Sequence, residues 1–245
     1  MPENKHRLDL RLVEKGLVKS RQRARALIMA GKVLVNGRPI DKCGFFVSAD
    51  DMLELRGEDI PYVSRGGLKL EAALHHFELN IVGSVCMDVG ASTGGFSDCL
   101  LQRGAERVYA VDVGYGQMAW KLRQDPRVVV IERTNVRHMP ADRIPDPVDL
   151  VTIDVSFISL KIVVPAILRF MKPDASILAL IKPQFEVGKG QVGKGGVVRQ
   201  PELHQQVIME LSDFFAAIKL SAEPVYLSPL LGPKGNREFF ILLNQ

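Results

Sequence analysis

Asp88-Val89-Gly90-Ala91-Ser92-Thr93-Gly94-Gly95-Phe96 closes an apolar run, Val85–Val89, and opens a helical stretch, Gly95–Arg103. An acid at a strand end, then glycines where the chain turns into a helix, is the pattern of a nucleotide-cofactor loop. Glycine lets the backbone approach a ligand with no Cβ in the way. No Gly-Lys-Ser/Thr follows, so the loop is not a phosphate-cradling P-loop. Ser92 also stands where a dinucleotide fingerprint would need its second glycine. A turn kept for purely structural reasons is the alternative reading.

Outward from this loop, strand-like and helix-like segments alternate. A helix is expected over Gly67–Phe77, and apolar runs recur at Val108–Val113, Val128–Ile131, Leu150–Ile153 and Ile177–Ile181. Helical stretches lie near Gln117–Arg123, Ser159–Met171 and Pro201–Lys219. Glu238–Leu243 reads as a last strand, antiparallel to Ala222–Leu227. Such alternation predicts a parallel α/β sheet. Asp112 ends the second strand, where a carboxylate can accept both hydroxyls of a ribose. Thr134-Asn135 follows the third, where an amide can read an adenine edge.

Glycine loop, ribose acid and polar residue after the third strand together resemble a class I S-adenosylmethionine-dependent methyltransferase. The resemblance implies a Rossmann-like, mostly parallel seven-stranded sheet. It assigns cofactor contacts to Asp88, Gly90, Ser92, Thr93, Gly94, Gly95, Phe96, Asp112, Val113, Asn135 and Asp154. A dehydrogenase is disfavoured by the missing glycine spacing and by the lack of a second nucleotide-binding half.

The first 49 residues carry 11 Lys+Arg against 4 Asp+Glu, whereas the remaining 196 carry 21 against 24. A basic head before a nearly neutral body points to a polyanionic partner, since cations near phosphates gain affinity by releasing counterions. A solvated charged face is the other reading of charge alone. The head reads as a helix over Arg7–Lys15, broken by Gly16, and a second helix capped by Ser20 and closed by Gly31. A short strand, an Asn36-Gly37 turn and the alternating stretch Met52–Leu55 follow. The pattern Arg-Leu-Asp-x-x-Leu-Val-x-x-Gly-Leu-Val-x-Ser-Arg-x-x-Ala-x-x-Leu-Ile, then Gly-Lys-Val-x-Val-Asn-Gly, resembles the S4-type RNA-binding domain. Residues 1–60 are therefore expected to form a small α+β head with a short linker, and 61–245 the catalytic body. The resemblance implies RNA contacts at Arg7, Arg11, Lys19, Ser20, Arg21, Arg23, Arg25 and Lys32. Arg65, before Gly66-Gly67 at a helix start, could hold a phosphate or be part of a plain cap. Lys189 lies in the Gly-rich stretch Glu186–Gly196, expected to be a mobile loop that closes over RNA or else a disordered insertion.

Four ionisable residues fall where an open sheet displays its active edge. Asp154 ends one apolar run, Lys182 ends another, Glu238 opens the last strand, and Lys69 sits on the helix opening the body. Singly, each reads as a solvent-facing terminus. Together they match the order of the Lys-Asp-Lys-Glu tetrad of FtsJ-like ribose methyltransferases. A ribose 2′-hydroxyl is a poor nucleophile until its proton is being removed. That resemblance makes Lys182 the base, with Lys69 and the sulfonium favouring its neutral form and Asp154 and Glu238 as positioners. No metal is expected, and the five histidines show no ligand spacing.

An S4-type head on an FtsJ-like body is the arrangement of the TlyA (hemolysin A) family, which this chain resembles along its length. Tyr62-Val63-Ser64-Arg65-Gly66-Gly67-Leu68-Lys69-Leu70, Asp154-Val155-Ser156-Phe157-Ile158-Ser159 and Lys182-Pro183-Gln184-Phe185-Glu186 carry that resemblance. It implies 2′-O-methylation of a cytidine in bacterial rRNA, with the head bound to rRNA or a ribosomal subunit. The compactness of the chain, with little before His6 or beyond Gln245, fits members restricted to the large subunit. A membrane-damaging hemolysin, a small-molecule methyltransferase and a non-catalytic ribosome-binding factor are the rivals. No run of about 18 apolar residues and no signal core is present, so a cytoplasmic protein is expected. Three cysteines without a CxxC pair agree with a reducing compartment.

Overall fold

The computed structural model describes residues 5–18, 20–56, 60–188 and 190–245, so Lys19 and Lys189 lie outside the described residues. The chain divides into two compact units, Met1–Asp59 and Ile60–Gln245.

In the first unit, α1 (Leu8–Glu14) and α2 (Arg21–Met29) pack over a sheet of β2 (Val33–Val35), β3 (Arg38–Ile40) and β5 (Leu53–Leu55). Leu8 and Leu12 of α1 and Ala24, Leu27 and Ile28 of α2 lie at helical spacing and bury against Val33, Val35 and Leu53. The Ser20 hydroxyl caps α2 by accepting from the Arg23 amide. Asn36 and Gly37 both take positive φ, which a two-residue hairpin turn requires. A second pairing, β1 (His6–Arg7) with β4 (Phe46–Val47), is too short to leave a periodicity in the sequence.

The second unit opens with α3 (Arg65–His76) and continues through β6 (Val85–Val89), α4 (Gly95–Gln102), β7 (Arg107–Val111), α5 (Trp120–Arg123) and β8 (Val128–Ile131). Then come β9 (Val148–Ile153), α6 (Leu160–Ile167), β10 (Met171–Ile181), α7 (Pro183–Glu186) and α8 (Pro201–Ala217). Short β11 (Ser221–Ala222) and β12 (Tyr226–Leu227) precede β13 (Phe239–Asn244). The sheet runs β8-β7-β6-β9-β10-β13-β11, with β12 also on β13. Strands β6 to β10 are parallel, and β13 lies antiparallel to β10. The seventh position is shared by β11 and β12, so seven positions hold eight segments.

Both faces of the sheet are covered, which is why its strands read as continuous apolar runs. Ile177, Ala179 and Ile181 of β10 enter one core with Val163, Leu211 and Phe215, while Leu178 and Leu180 enter the other with Leu70, Cys99 and Leu100. The helix expected over 117–123 is confined to Trp120–Arg123. The Ala119 amide bonds to Thr93 O, and the Gly116 amide to Glu132, which hold 114–119 as a loop.

Candidate active site

Parallel strands deliver their C-terminal ends to one edge, and antiparallel β13 delivers its N-terminal end to the same edge. Gly90, Asp112, Glu132, Asp154, Lys182 and Glu238 therefore cap neighbouring strands there. Ile181 and Phe239 are register partners, so Lys182 and Glu238 form the next pair outward.

A cleft of about 510 Å³ opens at this edge. Gly90, Ser92, Asp112, Val113, Asn135 and Asp154 line it, six of the eleven expected cofactor contacts. The Asp112 carboxylate accepts from the Ser92 amide at 2.7 Å and the Gly114 amide at 2.6 Å, one on each oxygen. Two fixed donors orient the carboxylate and leave each oxygen a further lone pair, the geometry a vicinal diol needs. Gln117, Thr134 and Ser156 line the same cleft and were not among the assigned contacts. Gln117 escaped notice because its segment reads as helix.

The other five expected contacts are not among the residues that line this cleft. Thr93 and Gly94 lie where the loop turns into α4, and Phe96 packs at 6.2 Å from the Phe240 ring in the core. Asp88 is fully buried. Its carboxylate accepts from the Ser97 amide at 2.9 Å, the Ser97 hydroxyl at 2.6 Å and the Thr152 hydroxyl at 3.3 Å. Burial pushes its carboxyl up to about 7, partly opposed by the Ser97 bonds. Asp88 thus anchors the first turn of α4 under the cleft. The glycines answer to the protein's own packing: a Cβ on Gly90 would lie 2.5 Å from Asp154 O, and one on Gly95 2.1 Å from Ser64 Oγ.

Two lysine–acid pairs stand at the edge. Lys69 Nζ donates to Glu238 Oε2 at 2.5 Å, with Glu238 fully buried and Lys69 8% exposed. Lys182 Nζ lies 2.7 Å from Asp154 Oδ1 and donates to Ser156 Oγ at 3.1 Å. Breaking either pair by removing one partner leaves a buried charge uncompensated, a large cost. Gly232, which sequence reasoning missed, makes room for the first pair: a Cβ there would fall 1.9 Å from Glu238 Oε1. The pattern Leu-Gly-Pro carries no such signal until the position of Glu238 is known. Arg65 is exposed at the start of α3, and a Cβ on Gly67 would meet the Tyr62 ring. The loop read as mobile is pinned at its far end, where Asn236 bonds Gly196 O and the Val198 amide. Among the described residues no cluster of His, Cys, Asp or Glu could hold a metal.

In the first unit the assigned RNA contacts divide. Arg7 and Arg21 both hold the fully buried Asp9, at 3.0 and 2.9 Å. The Arg7 and Arg21 guanidiniums hold its carboxyl down to about 2 against the cost of burial. Arg11 pairs with Glu14 at 3.2 Å, Arg25 is exposed and Lys32 is half-buried. The Ser20 hydroxyl is engaged in its cap.

Residues 62–245 match the FtsJ-like methyltransferase family, and residues 6–53 match the S4 domain. TlyA of Mycobacterium tuberculosis (strain ATCC 25618 / H37Rv), named a 16S/23S rRNA (cytidine-2′-O)-methyltransferase, is 49% identical over 238 residues. That similarity covers 97% of this chain and 89% of the relative. YqxC of Bacillus subtilis (strain 168), named as an rRNA methyltransferase, is 47% identical over 100% of this chain and 87% of its own. A solved structure from Streptococcus thermophilus that carries a hemolysin name is 42% identical, with a TM-score of 0.78. It covers 98% of this chain and 88% of that one. No helix among the described residues is long and apolar enough to cross a membrane.

Proposed function

The chain belongs to the FtsJ-like methyltransferase family, and on that premise we propose that it moves a methyl group from S-adenosylmethionine to a cytidine 2′-hydroxyl in bacterial large-subunit rRNA. The observation that carries this reading is the placement of two lysine–acid pairs at the sheet edge that also opens the nucleoside-sized cleft. The names of the Mycobacterium and Bacillus relatives, both rRNA methyltransferases, support the substrate class.

The residues present fit the cofactor. Asp112, held by two amides, suits the ribose diol, Asn135 the adenine edge, and Gly90 and Ser92 the approach of the chain. S-adenosylmethionine, when bound, supplies a methyl carbon on a positively charged sulfur that leaves with the electron pair of the broken carbon–sulfur bond. Lys182, as a neutral amine, takes the 2′-hydroxyl proton while the oxygen pair forms the new bond to that carbon. Asp154 then faces the ammonium so formed, at 2.7 Å. Lys69 is fixed by Glu238 at the same sheet edge. Positioning of the hydroxyl in line with the methyl group provides most of the rate gain.

The first unit supplies RNA affinity through Arg7, Arg11, Arg21, Arg23, Arg25 and Lys32, and Arg65 on the body is a further phosphate contact. The protein works in the cytoplasm, where ribosomal subunits are. Incubation with labelled S-adenosylmethionine and separated bacterial subunits tests the reading. Label in the RNA of the large subunit is the expected result. Label confined to small molecules or to ribosomal protein overturns it.

A further inference from the structure

Two neighbours of Lys182 Nζ supply different things. Asp154 Oδ1 is 2.7 Å away, yet this buried oxygen receives no hydrogen bond. The ammonium therefore approaches the carboxylate off the hydrogen-bonding directions. Its hydrogen bond runs instead to Ser156 Oγ at 3.1 Å. Coulomb attraction depends on separation, whereas a hydrogen bond weakens steeply with misalignment. Asp154 provides charge, and Ser156 provides direction.

Direction matters because a neutral amine has a single lone pair. A general base works when that pair lies on the proton it removes. The tetrahedral nitrogen of Lys182 has three positions besides its bond to Cε. One is taken by the bond to Ser156, and that bond fixes where the other two point. We propose that Ser156 is a positioning residue for methyl transfer, fixing the rotation of the Lys182 amine so that its lone pair faces the cleft. Ser156 and Asp154 both line that cleft. This inference rests on the reading of Lys182 as the base.

The loop around Ser156 is built to hold such a contact. Phe157, the next residue, sits in the left-handed region at φ 64° and is 89% exposed, with its ring 4.8 Å from that of Phe185. Glu186 closes α7, whose first residue follows Lys182. Its carboxylate accepts from Ser159 Oγ at 2.6 Å and from the Leu160 amide at 2.8 Å. Segments 154–160 and 182–186 are thereby laced together, and the Ser156–Lys182 contact is fixed at both ends. Among the described residues Ser156 Oγ makes no other hydrogen bond, so its hydroxyl has no second task in the fold.

The test compares Ser156→Ala with Ser156→Thr, which keeps the hydroxyl. Ser156→Ala is expected to lower kcat roughly ten- to a hundredfold, the scale of an ångström of misplacement. KM for rRNA and the Kd for S-adenosylmethionine should stay at wild-type values, and Ser156→Thr should recover most of the loss. A wild-type kcat in Ser156→Ala overturns the proposal, as does a kcat loss matched by a loss of cofactor binding, which would make Ser156 a cofactor contact of the cleft it lines. The Lys182 ¹³Cε signal of lysine-labelled protein, assigned with Lys182→Arg, gives a readout free of methyl transfer. It should move in Ser156→Ala and return in Ser156→Thr, and a signal unmoved in Ser156→Ala contradicts the proposal. A signal that moves in a protein that methylates no RNA sinks the base reading and leaves the positioning contact standing.

Discussion

The two units place charge in opposite ways. In the body, Lys69 and Lys182 are drawn in to 8% and 9% exposure, and their acids hold them at a sheet edge beside a cleft. In the head, the acid is drawn in: Asp9 is fully buried, while its partners Arg7 and Arg21 keep 40% and 53% of their side chains in solvent. A buried lysine held by an acid is fixed in one geometry, which suits a group proposed to meet one proton there. An exposed cation braced from beneath retains its attraction for phosphate at little desolvation cost. The same ion-pair chemistry thus serves the proposed reacting centre and the proposed docking face in opposite ways.

The largest effect that would break this contrast is at the base. Lys182→Ala should lower kcat on rRNA by about 10²–10⁴-fold, the range of general-base contributions. Cofactor affinity, read by calorimetry, should stay close to wild type, and an active Lys182→Ala would remove the body from the comparison. Gly232→Ala comes next. Its added methyl would fall 1.9 Å from Glu238 Oε1. Overpacking of this kind costs roughly 1–3 kcal/mol, and displacement of Glu238 should also lower kcat about tenfold or more. A Gly232→Ala enzyme of wild-type rate and Tm would show that the Lys69–Glu238 pair tolerates slack.

In the head the effects should be smaller and of another kind. Neutralising Arg21, Arg23 and Arg25 together should weaken RNA binding and flatten its salt dependence, by about 0.7–0.9 in log–log slope for each phosphate no longer neutralised. The kcat at saturating RNA should hold, and an unchanged slope would make these arginines a solvated face. The smallest effect concerns Asp88. Its carboxyl is raised to about 7 in the folded protein from an ordinary 3.8, so the buried charge costs stability above that range. The fold should gain stability from this group as pH falls from about 7 towards about 4. Asp88→Asn keeps an acceptor for Ser97, so its Tm relative to wild type should rise with pH across that window. A difference that does not vary with pH would contradict the account of Asp88.

Much of this was legible in the sequence where apolar runs are bounded by turn residues. The runs Val85–Val89 and Val128–Ile131 are the strands as expected. Strand β10 begins at Met171, well before the expected Ile177, because Lys172-Pro173-Asp174 interrupts its apolar pattern and a register shift follows Met171. The order Lys69, Asp154, Lys182, Glu238 was visible, but its division into two pairs depends on β13 running antiparallel to β10. Asp88 looked like a ligand contact because an acid at a strand end usually is, and the Ser97 and Thr152 hydroxyls that turn it inward lie on two other elements. Nothing in the sequence marks Asp9 as buried. Its burial depends on Arg7 and Arg21 converging from two elements, and spacing along one helix cannot report that.

The most direct test of the central claim is the identity of the product. Large-subunit rRNA from a reaction with labelled S-adenosylmethionine is digested to nucleosides and resolved by mass spectrometry, with Lys182→Ala in parallel. The account predicts label in 2′-O-methylcytidine, absent from the variant. Label on a cytosine base, on another nucleoside, or equally in both reactions would contradict it.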